Sequence, residues 1–186
     1  MPSRIKTFAR RTTRGLARAA ADSRAVTAVE FAFVAPIILA LMLGTIQVAV
    51  IYLAQAELET ATEAAERLVL TNQAQAMTAS TFKTALCGNL PALFTCANVM
   101  VDLTAMAGSS TSCSAIAMAP PTLTYDGSGN VNNTWNFQPG TYGQVERLRV
   151  MYQWPVIAGP LGLVFSDLAN GSLFMQATAV FQNESQ

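Results

Sequence analysis

The sequence predicts an α+β protein: a long N-terminal helix, first transmembrane and then extracytoplasmic, packed against a small antiparallel β-sheet domain. Three observations predict it. Basic residues crowd the N-terminal end, an uncharged apolar run of membrane-spanning length follows, and the rest carries first a helical and then an alternating apolar pattern.

The charge pattern comes first. Arg4, Lys6, Arg10, Arg11, Arg14, Arg18 and Arg24 are seven of the eleven basic residues, and only Asp22 opposes them in that tail. Beyond it, Arg67, Lys83, Arg147 and Arg149 face ten carboxylates, so the formal neutrality of the chain hides two different environments. Phe8 is the tail's one aromatic residue and the tail holds no Asn or Gln to read bases, which argues against a nucleic-acid partner. Lys and Arg flanking a span resist translocation, so the tail reads as a basic cytoplasmic leader over residues 1–25.

From Phe31 to Leu53 there is no Asp, Glu, Lys or Arg. As a helix rising about 1.5 Å per residue, those residues reach roughly 35 Å, enough for a bilayer's hydrocarbon core. A cleaved secretory signal has a shorter apolar region of about 7–15 residues and a small-x-small cut site. Here Gln55, Glu57, Leu58 and Glu59 carry the helix onward instead. Apolar residues ring every face of the run, unlike a soluble core helix. Pro36 removes one backbone hydrogen bond near its start. Gln47, the strongly polar side chain at depth, either pairs with another helix or is simply tolerated.

Past the span, Leu58, Ala61, Ala65, Leu68 and Val69 recur at helical spacing, with Glu59, Glu63 and Glu66 on the other side. The helix is therefore placed at 26–72, its span at about 31–53, and a periplasmic α+β domain at 73–186. Within that domain a short helix is predicted over Thr81–Leu86, ended by Gly88. Val99–Met106 alternates as a strand, with Val99, Val101, Leu103 and Ala105 on one face. Leu148, Val150 and Tyr152 mark a second strand, and Leu173, Met175, Ala177, Ala179 and Phe181 a third. Between the first two, Gly108 to Gly143 is rich in turn-formers, and Asp126-Gly127-Ser128-Gly129-Asn130 reads as a hairpin tip. A calcium loop there lacks the acidic ligands its spacing requires. Strand pairing is expected around Thr122–Tyr125 and Thr134–Phe137, and Pro160–Leu168 is a short helix or an apolar loop.

No cofactor and no enzyme is predicted. Without His there is no Ser–His or Cys–His pair and no zinc set, and no phosphate-cradling Gly loop follows a strand. No small-molecule substrate is implied. Cys87, Cys96 and Cys113 lie on the extracytoplasmic side, where one disulfide and one remaining thiol are expected; three pairings are open.

The sharpest local feature is a carboxylate, Glu30, at the threshold of the uncharged span. A helix N-terminus favours such a charge, which is its plainest explanation. Val26–Phe31, followed by the apolar helix, also resembles the class III signal of type IV pilin-like proteins. In these a prepilin peptidase cuts on the cytoplasmic side, five residues before a Glu. Thr27-Ala28-Val29-Glu30-Phe31-Ala32 is similar to the signature of the TadE family of pseudopilins, which serves the tight-adherence (Flp) pilus machinery. Leu86-Cys87-Gly88-Asn89-Leu90-Pro91, leading to Cys96 and Val99-Met100-Val101-Asp102, resembles that family's cysteine region. Val145 to Pro155 and Ala179-Val180-Phe181-Gln182-Asn183-Glu184 are similar to its last two strands.

The resemblance runs from about Ala25 to the end of the chain and implies processing at Ala25, Val26, Glu30 and Phe31. It implies a Cys87–Cys96 disulfide, leaving Cys113 as an unpaired thiol. It also implies that Glu30 pairs with the new Val26 amine, in its own or a neighbouring subunit, to set assembly register. One departure stands out: Ala25 occupies the position before the cut, where the family usually has Gly. The implied partners are the membrane, prepilin peptidase, the major Flp pilin, a sister pseudopilin and the inner-membrane assembly platform. Two functions compete: a minor pilin-like subunit of a tight-adherence/Flp type IV pilus, and a permanently anchored periplasmic scaffold or adaptor. A general secretion-system pseudopilin shares the signal but not the cysteine and C-terminal patterns.

Overall fold

The computed structural model describes residues 23–105, 120–157, 159 and 162–183, with backbone only at 23–25. Most of the leader, Met106, Cys113, Pro160, Leu161 and Glu184 thus lie outside the described residues. The chain groups into two compact units. One holds the residues up to Ile46 with Gly159–Leu163; the other holds Gln47–Ala158 with Val164–Gln186. Helix α1, Ser23–Leu70, contributes to both and includes Pro36.

In the larger unit, α1 lays one stripe on the core. Ala54, Leu58, Ala61, Ala65 and Val69 recur at intervals of three and four, which places them on one helix face, and all are fully buried. Three alanines among the five keep that face thin, so the helix backbone lies close to what it covers. The helix then ends through Asn72, whose φ of 57° reverses the chain, and a 3₁₀ turn over Gln73–Ala76.

Helix α2, Ala79–Cys87, starts at a capping box: the Thr78 hydroxyl accepts from the Thr81 N–H while the Thr81 hydroxyl accepts from the Thr78 N–H. It buries Phe82 and Leu86. The link onward from α2 is tied down by Phe94, whose ring meets Tyr152 at 4.9 Å and Trp154 at 5.5 Å, centroid to centroid.

Four strands follow: β1 Val99–Ala105, β2 Phe137–Gln138, β3 Val145–Pro155 and β4 Ser172–Gln182. They form one sheet in the order β2-β1-β3-β4. β1 and β4 both pair antiparallel with β3; Leu103 sits opposite Leu148, and Leu148 opposite Ala179. The predicted α+β class holds, with one correction: the sheet is mixed, not purely antiparallel. β2 adds to the free edge of β1 in parallel, Leu103 opposite Phe137. Parallel neighbours need a crossover of a dozen or more residues, and the long connection after β1 supplies the length. Of the pairing expected around Thr122–Tyr125 and Thr134–Phe137, Phe137 pairs in β2, and Tyr125 makes an isolated bridge to Val131 around the Asp126 turn. In that turn the Asp126 carboxylate accepts from the Ser128 and Asn130 N–H groups and from the Asn130 amide.

One sheet face carries Val99 and Leu103 of β1, Leu148, Val150, Tyr152 and Trp154 of β3, and Met175, Ala177 and Phe181 of β4. These share one buried cluster with Ala54, Leu58, Ala65 and Val69 of the α1 stripe, Phe82 and Leu86. The Gln55 amide adds a 3.0 Å hydrogen bond to the Gln176 carbonyl on β4. The other face is not simply wet. Asp102 and Arg149 are buried there, and Arg147 Nη2 lies 3.2 Å from Asp102 Oδ2. Asp102 also accepts from the Asn136 N–H at 3.3 Å, which fixes the approach to β2.

Phe82 is fully buried and stacks at 5.3 Å on Phe137, so it joins α2 to the parallel edge. Phe82→Ala is expected to cost about 3–5 kcal/mol in urea unfolding of the detergent-solubilised chain. Val180→Ala, on a more exposed strand position, is expected to stay within about 0.5 kcal/mol.

Candidate functional site along the N-terminal helix

The motif residues occupy the start of α1. Ala25 and Val26 both fall inside the helix as described, Ser23–Leu70. Val26, Glu30 and Phe31 are all exposed, Phe31 at 71%. Val26 and Glu30 stand four residues apart and therefore share a face. Among the described residues Glu30 has no ion-pair partner.

The helix around them is apolar on nearly every side. Phe31, Phe33, Val34 and Leu39 are each more than half exposed, and between them they point in different directions around the axis. So large an apolar surface marks contact with lipid or protein and is not a soluble helix's outer face. Among the described residues this is the one helix long and apolar enough to cross a membrane, its richest window reaching a mean hydropathy of 2.4. Tyr52, 72% exposed, sits at the far end of the uncharged run, where amphipathic rings suit a membrane–water boundary.

Cys87, the last residue of α2, is bonded to Cys96, with Cα atoms 5.8 Å apart. The bridge closes the short chain segment that carries Phe94 and fixes it against β3. Cys113 lies outside the described residues.

A further group, unforeseen from the sequence, gathers where α1 ends. Glu146 follows the phase of Leu148, Val150 and Tyr152, so it points into the core face of the sheet and is fully buried. Asn183, also buried, is the hub: its Nδ2 lies 3.1 Å from Glu146 Oε1, 3.1 Å from Asn72 Oδ1 and 3.2 Å from the Gly140 carbonyl. Gln75 donates to that same carbonyl. Gly140 leaves no room for a side chain, since a Cβ there would stand 2.8 Å from the Ala105 Cβ. The knot joins the helix end, the start of β3 and the end of β4. Burial pushes the Glu146 carboxyl above the ordinary range, partly offset by donors from Gly140 and Asn183. Its Oε2 meets no hydrogen-bond partner among the described residues. An acidic residue in register with apolar neighbours on a strand is the signal that could have revealed it.

Chemically, the arrangement offers packing surfaces and no reacting set. Among the described residues no three His, Cys, Asp or Glu side chains converge as they would on a metal.

The family described as TadE-like protein matches residues 25–67. The matched segment begins at the Ala25 position and covers most of α1, in agreement with the family that the Thr27–Ala32 motif resembles. The cysteine region and the sheet fall beyond it. The matched family is a pilus-associated structural one, and the match covers residues 25–67 of the 186. No curated protein and no solved structure matches the chain.

A carboxyl raised on folding binds its proton more tightly in the folded state. The stabilisation is therefore complete below the unfolded carboxyl value of 4.5 and is lost as pH rises through the raised value. Relative to the wild type, Glu146→Gln is expected to gain stability as pH rises through that window, read by thermal unfolding of the solubilised chain at a series of pH values.

Proposed function

We propose that the chain is a minor pilin-like subunit, a pseudopilin, for assembly of a tight-adherence (Flp) type IV pilus, and that it works by helix packing and not by chemistry. The observation that carries this reading is a coincidence of positions. The TadE-like match falls on a helix that exposes apolar side chains around Val26–Ile46 and buries a stripe from Ala54 to Val69 under a small domain.

In this reading the basic leader holds the N-terminus in the cytoplasm, the run at about 31–53 crosses the inner membrane, and the domain stands in the periplasm. An oxidising periplasm is where the Cys87–Cys96 bridge persists. Prepilin peptidase cuts between Ala25 and Val26. The cut removes the positive leader and leaves an α-amino group at Val26. A carboxylate entering an apolar helix bundle is costly unless paired, so Glu30 pairs with a Val26 amine, its own or a neighbour's, and sets register. The partners that follow are the major Flp pilin, a sister pseudopilin and the inner-membrane assembly platform.

A second reading, a permanently anchored periplasmic scaffold, draws support from Ala25, which stands where the family usually has Gly. Intact mass of the native protein, taken from cells with an active prepilin peptidase, separates the two. A chain starting at Val26 supports the pseudopilin; an intact Met1 supports the scaffold. Glu30→Ala is expected to leave membrane insertion unchanged and to abolish incorporation into pili, scored by immunoblot of sheared fibres. Normal incorporation of that variant contradicts the register role.

A further inference from the structure

Beyond Val156, which packs against the core, the β3–β4 connection carries an apolar stretch that the core cluster does not include. From Pro155 to Phe165 no side chain is polar, and the nearest charges are Arg149 and Asp167. Ile157 is 82% exposed and Val164 71%. A lone exposed aliphatic residue needs no explanation, but a contiguous uncharged stretch does.

Its position along α1 supplies one. The Gln47 side-chain amide donates to the Ile157 carbonyl at 2.8 Å. Gln47 lies six residues inside Leu53, the end of the uncharged run, which is roughly 9 Å along a helix axis. In the smaller unit, Gly159–Leu163 groups with the helix residues up to Ile46. There Ala40 is only 2% exposed and Gly44 is buried, while Leu39, Leu41 and Leu43 are each more than half exposed. Small residues at that spacing open one helix face to close backbone approach. Within the loop the Gly159 N–H donates to the Leu163 carbonyl at 3.0 Å, and Gly162 turns with a φ of 77°. Irregular backbone at membrane depth is tolerated only when its polar groups find partners inside the protein. The Ile157 carbonyl and the Gly159 N–H both do.

We propose that the described residues of this connection, Ile157, Gly159 and 162–165, form a second membrane-contacting element inserted into the outward-facing leaflet beside the span, with Ile157 and Val164 among the acyl chains. The proposal rests on the reading of residues 31–53 as a membrane span. Lipid is the occupant because the loop lies within the length of that uncharged run, continues its apolar surface and offers no polar side chain to a protein partner. It makes Gln47 a positioning residue that ties the loop to the helix, and it holds the domain to the bilayer at two places. Interfacial elements of this kind bind through buried apolar area.

The test uses the full chain in Cys113→Ser background, keeping the disulfide, with single probes at Ile157→Cys, Val164→Cys, Leu39→Cys and Tyr142→Cys. Each is labelled with an environment-sensitive fluorophore in phosphatidylethanolamine–phosphatidylglycerol vesicles, with or without spin-labelled acyl chains. The expected result is quenching at 157 and 164 comparable to that at 39, and several-fold greater than at 142. Quenching at 39 with 157 and 164 behaving like 142 overturns the loop and leaves the span standing. Blue-shifted emission at 157 or 164 without lipid quenching means that protein covers the loop, which also overturns the proposal. An unquenched probe at 39 removes the span itself.

Discussion

The larger unit depends on one packing contact, the stripe of Ala54, Leu58, Ala65 and Val69 in one cluster with the core face of the sheet. A four-stranded sheet with one apolar face needs a cover, and a helix with apolar residues only on one side needs a partner. Here each supplies the other. β3 is the centre of the arrangement, since it pairs with both β1 and β4 and presents Leu148, Val150, Tyr152 and Trp154 toward the cover. Phe82 and Phe94 then seal the two sides, Phe82 against Phe137 and Phe94 against Tyr152 and Trp154.

Polar groups close this core at the end of the helix. Glu146 and Asn183 are buried there and Asn72 half-buried, and burying such groups is costly unless they are hydrogen-bonded. Their hydrogen bonds are directional where apolar contacts are not. They fix where the helix stops, where β3 begins and where β4 ends relative to one another. The Arg147–Asp102 pair and the Asn136 N–H do the same on the opposite sheet face, where they fix β2 beside β1.

Much of this architecture was legible because its determinants are local and periodic. The buried helix stripe follows from Leu58, Ala61, Ala65 and Val69 at helical spacing, and β1, β3 and β4 from strict alternation. Non-local chemistry was harder to see. The parallel addition of β2 depends on where a long connection returns, which two residues, Phe137 and Gln138, cannot encode. Thr78 and Thr81 form a capping box from two threonines, so the usual acidic partner that flags a helix start is absent, and α2 begins two residues before the predicted Thr81. Gln47 read as a partner for another helix or as a tolerated polar residue; its partner proved to be a backbone carbonyl 110 positions away. Around Ala25 to Phe31 the signal was a motif and not a fold, which is why those residues were singled out while the helix there shows only an exposed surface.

If the α1 stripe and the sheet form one cooperative core, they must open together, because neither can keep its apolar face in water alone. Native-state hydrogen exchange of the full chain in micelles, followed by mass spectrometry at rising urea, reads this directly. The expected result is that amides of residues 54–69 and of Val145–Pro155 lose protection at the same urea concentration and with the same steepness. Protection of 54–69 that persists after β3 has fully exchanged would mean the helix stands without the sheet, and would contradict the account.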